Sequence, residues 1–180
     1  MNEARYTIKD MDLPNFTSPE KNIEQLGVHE GMTVVDLGAG TGTYTMLLAE
    51  AVGESGRVIA VEVQKDFLIN IKDGATAKGF KNVEVIWGDI ERPSGTKIKD
   101  SIADAVVISN VLFQAEDKAG LLREAQRVLK TGGKVLLVDW KDSFGNLGPT
   151  KDAVVPQPLA RSMCEREGFV VAKEFEAGDH

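Results

Sequence analysis

Residues 34–45 read VVDLGAGTGTYT: an apolar run closing on an acid, then Gly38, Gly40 and Gly42 two apart, then the start of a helix-like pattern. A glycine-rich loop between a strand and a helix is a place for nucleotide-like ligands, because loop N–H groups and a helix N-terminus face the ligand. Two spacings narrow the choice. The dinucleotide fingerprint puts its third glycine three residues after the second, whereas here that place holds Thr43. The phosphate loop needs a lysine after its glycines, and none follows. Asp36 points the same way: a carboxylate beside a pyrophosphate works against binding, but beside an ammonium or sulfonium it helps. The loop suits a zwitterion, with backbone N–H groups for a carboxylate and Asp36 for a positive charge. S-adenosylmethionine fits that description.

Two downstream acids sharpen the reading. Glu62 ends the second apolar run, 26 residues after Asp36, where a carboxylate can accept from ribose hydroxyls; a nicotinamide dinucleotide would want the same residue. Asp89, in WGDI, follows the third run and can accept from an adenine amino group, while the Ile90 N–H can donate to a ring nitrogen. Acids after the first, second and third strands form a more specific set than the glycines alone.

Around these residues strand and helix patterns alternate. Short β-branched runs occur at 33–37, 57–63, 82–87, 103–109, 134–140 and 169–175, with too few polar positions for one wet face, so they read as parallel strands covered on both sides. Helical spacing marks 43–52, 65–78, 116–129 and 158–167. Ser18-Pro19-Glu20 and Gly27 bracket a further short helix, about 19–26. The pattern predicts an α/β, Rossmann-like open sheet, mostly parallel, with helices on both faces. The loops 89–100 and 141–153 follow strand C-terminal ends, where ligands bind in such sheets.

Composition sets the limits. At 180 residues, 42% apolar and 27% charged, the chain suits one globular domain. No apolar segment approaches the roughly 20 residues of a membrane span, and the N-terminus lacks a signal-peptide core, so a cytoplasmic enzyme is expected. A net charge of -7 weighs against nucleic-acid phosphates. One cysteine and two histidines give no metal cluster.

DLGAGTG, AVEV, GDI, DAVVISNVLFQ and RVLKTGGKVLLVDW, in that order, resemble the motif series of class I S-adenosylmethionine-dependent methyltransferases, in particular the small-molecule group that includes ubiquinone/menaquinone-biosynthesis C-methyltransferases and arsenite methyltransferases. The resemblance implies that Asp36, Gly38, Ala39, Gly40, Thr41 and Gly42 hold the methionine portion. It implies that Glu62 binds the ribose, that Val63 packs on the adenine, and that Gly88, Asp89 and Ile90 read the adenine edge. Asn110 would lie near the amino-acid portion and the methyl, or else cap the next turn. The turn from Leu129 to Lys134 would be structural. Residues 1–17 resemble the lid of such enzymes, and 18–180 the cofactor-binding domain. The implied reaction is methyl transfer to a small or medium-sized acceptor, leaving S-adenosylhomocysteine.

The acceptor side is less defined. Relatives commonly carry a histidine after strand four; here Phe113 and Gln114 stand there, and no residue takes a catalytic label. Tyr6, Phe16, Phe113, Gln114, Trp140, Lys141 and Phe144 are candidate pocket residues, with core packing an equal reading for Phe113 and Trp140. A single cysteine cannot build the multi-thiol site of an arsenite enzyme. Family members close their sheet with a seventh strand, and none is legible after 169–175, so an open edge that invites dimerisation is expected. A non-catalytic cofactor-binding subunit and an NAD-dependent oxidoreductase remain the competing readings.

Overall fold

The computed structural model describes residues 18–144 and 148–178. Its elements run α1 (Pro19–Leu26), β1 (Thr33–Leu37), α2 (Thr43–Val52), β2 (Arg57–Glu62), α3 (Lys65–Ala77), β3 (Val83–Trp87), β4 (Ala103–Ser109), α4 (Lys118–Val128), β5 (Leu129–Val138) and α5 (Gln157–Arg166). The strands form one sheet in the order β3-β2-β1-β4-β5, and every pairing is parallel. Strand order reverses between β1 and β4, which places a crevice beyond their C-terminal ends.

Successive residues of β1 serve opposite faces. Val35 and Leu37 join Ile59, Val61, Val106 and Ile108 under α4, with Leu121, Leu122 and Ala125 all fully buried. Val34 joins Val58, Val107 and Leu136 under α1 and α2, with Ile23, Leu26, Leu48 and Val52. Both faces being dry accounts for the nearly continuous apolar runs.

The chain between β3 and β4 contains no helix. A buried acid on α4 holds it instead. Glu124 is 2% exposed. It accepts from the N–H groups of Ser94 (3.0 Å) and Thr96 (3.2 Å), from the Thr96 hydroxyl (2.6 Å) and from Arg127. Burial alone would raise its carboxyl, but Arg127 and Thr96 bring it down to about 2. The loop that carries Asp89 and Ile90 is thereby fastened to α4.

Two expectations are corrected. Residues 169–175 are not a strand. The Phe169 N–H turns back to Cys164 (3.0 Å), and the Ala177 carbonyl accepts from Ser18 (3.1 Å). Side chains hold the segment through Lys141–Glu176 and Arg161–Glu174 pairs, and Val170 is 91% exposed. An alternating pattern makes a strand only where the segment reaches a neighbour's ladder; residues 169–175 do not pair with β5, whose outer edge has no partner among the described residues. Residues 129–134 likewise do not form a separate turn. They begin β5, with Leu129 opposite Ala103, Lys134 opposite Ala105 and a bulge absorbing the difference. No described helix is long and apolar enough to cross a membrane.

Glu124→Ala is expected to destabilise the domain by roughly 3–5 kcal/mol, the cost of breaking a buried charge pair, measured by chemical denaturation. Because the folded carboxyl lies below its unfolded value of 4.5, its contribution is present above that pH and is lost as pH falls through about 2. A loss under about 1 kcal/mol would mean that the loop is held by other contacts.

Candidate functional site

A cleft of about 640 Å³ opens beyond the C-terminal ends of β1, β2, β3 and β4. The parallel register sets Leu37 opposite Val61 and Glu62 opposite Trp87, so each strand delivers its terminal residues to the same rim. Asp36, Gly38, Ala39, Gly40 and Thr41 line the cleft from β1, Glu62 and Val63 from β2, Gly88, Asp89 and Ile90 from β3, and Asn110 and Gln114 from β4.

Glu62 is 6% exposed and shapes the loop. Its Oε2 accepts from the Gly40 N–H (2.9 Å); its Oε1 accepts from Val63 (2.8 Å) and Gln64 (2.9 Å). Two of those bonds fill Oε1, and Oε2 keeps one lone pair. Asp36 is 2% exposed and accepts from the Thr45 hydroxyl at 2.6 Å. Burial pushes its carboxyl up to about 6 against that hydrogen bond, and the charge of Glu62 adds to the rise. Asp89 is both loop cap and cleft wall: it accepts from the Glu91 N–H (3.0 Å) and from Arg92 (2.9 Å).

Asn110 holds the left-handed conformation, φ 57°, a strained state that a non-glycine residue keeps only where its surroundings fix it. Its N–H donates to Val138 (2.8 Å) and its carbonyl accepts from Gln114 (2.8 Å). Its Oδ1 is buried without a hydrogen-bond partner among the described residues. The turn after Asn110 is braced by Asp139, which accepts from the N–H groups of Phe113 (3.0 Å) and Trp140 (2.8 Å).

Other sequence candidates lie elsewhere. Gly42 caps α2 at φ 83°, and a Cβ there would meet Ile71 at 2.8 Å, so it faces α3 rather than the cleft. Phe113, Trp140, Lys141 and Phe144 are not among the cleft's lining residues; the Trp140 and Phe144 rings tilt together at 6.3 Å. Tyr6 and Phe16 fall outside the described residues. The loop N–H groups expected to receive a carboxylate are largely taken: Gly38 and Ala39 donate to Val61 (2.9 and 3.1 Å), Gly40 to Glu62 and Gly42 to Ala39 (2.9 Å). Sequence reasoning missed Pro19, Tyr44, Phe67, Glu91 and Ser109, which also line the cleft. Tyr44 in the first turn of α2 and Ser109 at the end of β4 were findable, since both follow strand ends at the crevice.

A glycine loop and three strand-end acids on a parallel sheet of this order define a Rossmann-like domain of the class I methyltransferase type. The chain belongs to the methyltransferase domain family, whose model matches residues 28–170. It is 32% identical over 154 residues to a ubiquinone/menaquinone biosynthesis C-methyltransferase of Cronobacter sakazakii, covering 84% of this chain and 58% of that protein. It is 35% identical over 114 residues to an arsenite methyltransferase of Aquipseudomonas alcaligenes, covering 61% of this chain and 33% of the relative. The crystal structure of a SAM-dependent methyltransferase from Aquifex aeolicus superposes with a TM-score of 0.82 at 29% identity, over 91% of this chain and 85% of that one. The chain thus spans less than two thirds of either curated relative. S-adenosylmethionine is the cofactor this family implies.

The Asp36 carboxyl titrates higher folded than unfolded, so the neutral form is what the ligand-free fold prefers: that stability is complete below about pH 4 and is lost as pH rises through about 6. Asp36→Asn is therefore expected to stabilise the ligand-free domain by about 1–3 kcal/mol at pH 8 and by far less at pH 4. Thermal melts at the two pH values check this, and no difference between them would refute the buried charge.

Proposed function

We propose that this chain binds S-adenosylmethionine in the cleft and catalyses methyl transfer to a small or medium-sized acceptor. The observation that carries the proposal is the charge of the cleft: among its described lining residues every charged side chain is a carboxylate, namely Asp36, Glu62, Asp89 and Glu91. A pyrophosphate would be repelled there, and a ligand bearing an ammonium and a sulfonium is attracted. The residues fit such a ligand. Asp36 and the unpartnered Oδ1 of Asn110 suit an ammonium. The remaining lone pair of Glu62 Oε2 suits a ribose hydroxyl. Val63, Phe67 and Ile90 offer apolar surface for a purine beside Asp89.

When bound, the cofactor supplies an electrophilic methyl on a good leaving group. The chain's own part is then to orient and to exclude water. Gln114, held by the Asn110 carbonyl, presents a neutral amide to an acceptor. With an already nucleophilic acceptor, alignment supplies much of the rate. The chain's one cysteine, Cys164, is half-buried on α5 and outside the cleft's lining, which speaks against arsenite as the acceptor. A free thiol suits a reducing compartment, and the proposal places the protein in the cytoplasm. A net charge of -7 favours a small molecule over a nucleic acid. The outer edge of β5, without a partner among the described residues, is where a homodimer would form.

Isothermal titration is expected to give saturable binding of both S-adenosylmethionine and S-adenosylhomocysteine, weakened roughly 10–100-fold in Glu62→Ala, which loses a charged hydrogen bond. No heat with either ligand at millimolar concentration would sink the proposal.

A further inference from the structure

With Gly38, Ala39, Gly40 and Gly42 donating inside the fold, a cofactor carboxylate gains from hydrogen-bond donors beyond the glycine loop. It cannot look to Asp36, which repels it. Four hydroxyls line the cleft: those of Thr41 and Thr43, exposed and bonded to one another at 3.2 Å, and, less exposed, those of Tyr44 on α2 and Ser109 at the end of β4. Tyr44 is 8% exposed, and its oxygen accepts from Asn22 Nδ2 at 2.8 Å. Asn22 lies on α1, is 2% exposed, and brings its amide into an otherwise apolar cluster of Ile23, Leu26 and Leu48. The Ser109 hydroxyl also bonds the phenol, and a phenol oxygen that accepts from Asn22 and Ser109 still has its own proton to give. Burial raises the Tyr44 titration, with the Asp36 charge adding to it, so the group stays a neutral donor.

We propose that Tyr44, positioned by Asn22, donates its hydroxyl proton to the carboxylate of the cofactor's amino-acid tail, which makes α1 part of the cofactor site. This rests on the methyltransferase reading. It adds a pair of residues to the zwitterion's anionic end, as Asp36 serves its cationic end. The alternative is a buried polar pair that merely joins α1 to α2, and ligand truncation separates the two. S-adenosylhomocysteine carries the tail; 5′-methylthioadenosine has the same adenosine and thioether without it.

Calorimetric titration of Tyr44→Phe is expected to show S-adenosylhomocysteine bound about tenfold more weakly, the loss of roughly one hydrogen bond to a charged group, with 5′-methylthioadenosine bound as by the wild type. Asn22→Ala is expected to show the same selectivity with a smaller loss, and it provides a second test should Tyr44→Phe fold poorly. Equal weakening of both ligands would reduce the pair to structural support, and unchanged binding of S-adenosylhomocysteine would assign the carboxylate to other donors; either result overturns the proposal. A wild type that binds neither ligand overturns the methyltransferase reading together with this one, and that outcome is distinguishable from both.

Discussion

The site depends on one carboxylate being in register. Because β1 and β2 pair in parallel with Leu37 opposite Val61, the next residue of β2, Glu62, arrives beside the glycine loop. There it receives three backbone N–H groups, one from Gly40 and two from its own strand's continuation. A loop of this kind has little side-chain packing to hold it, so backbone hydrogen bonds must fix its path. Moving Glu62 by one position along the strand would turn its side chain to the other face of the sheet. The cleft, the orientation of the loop and the placement of Asp36 beneath it all follow from that pairing.

Two buried acids show how the same fold treats charge in opposite ways. Glu124, 2% exposed, is met by an arginine, a hydroxyl and two N–H groups, and its carboxyl falls to about 2. Asp36, equally buried, has the single hydroxyl of Thr45 as a side-chain donor and rises to about 6. The first charge is satisfied inside the protein and fastens a loop. The second is left wanting a cation, and desolvated groups of that kind concentrate at binding sites. Stability is given up at Asp36, and under the proposed function a cationic ligand would offset that cost.

Much of this was legible in the sequence because strand-end acids and helix brackets are local features. Pro19–Leu26 and Thr43–Val52 begin and end where their caps and spacing put them. Asp36, Glu62 and Asp89 needed only an alternation of strands to be placed on one rim. What could not be read depends on distant partners. That the loop N–H groups are occupied follows from Val61, on another strand. The Asn22–Tyr44 bond joins residues 22 apart on two helices. Residues 169–175 carry a good strand pattern, yet they pair with no described strand. The helix-free crossover between β3 and β4 also had no signature of its own, since its anchor, Glu124, reads in isolation as one more charged residue on an amphipathic helix.

One peripheral feature gives the molecule an optical handle. Trp87, one of two tryptophans, closes β3 as a 52% exposed residue with the Lys97 Nζ 4.5 Å from its ring centre. Its indole N–H donates to the carbonyl of Val63 at 2.9 Å, and Val63 is itself a wall of the cleft. An indole emits according to the polarity and motion of its surroundings, and a purine seated against Val63, as the proposed function has it, would change both. Under that proposal the chain carries its own fluorescent indicator of occupancy at the end of the cleft farthest in function from the chemistry.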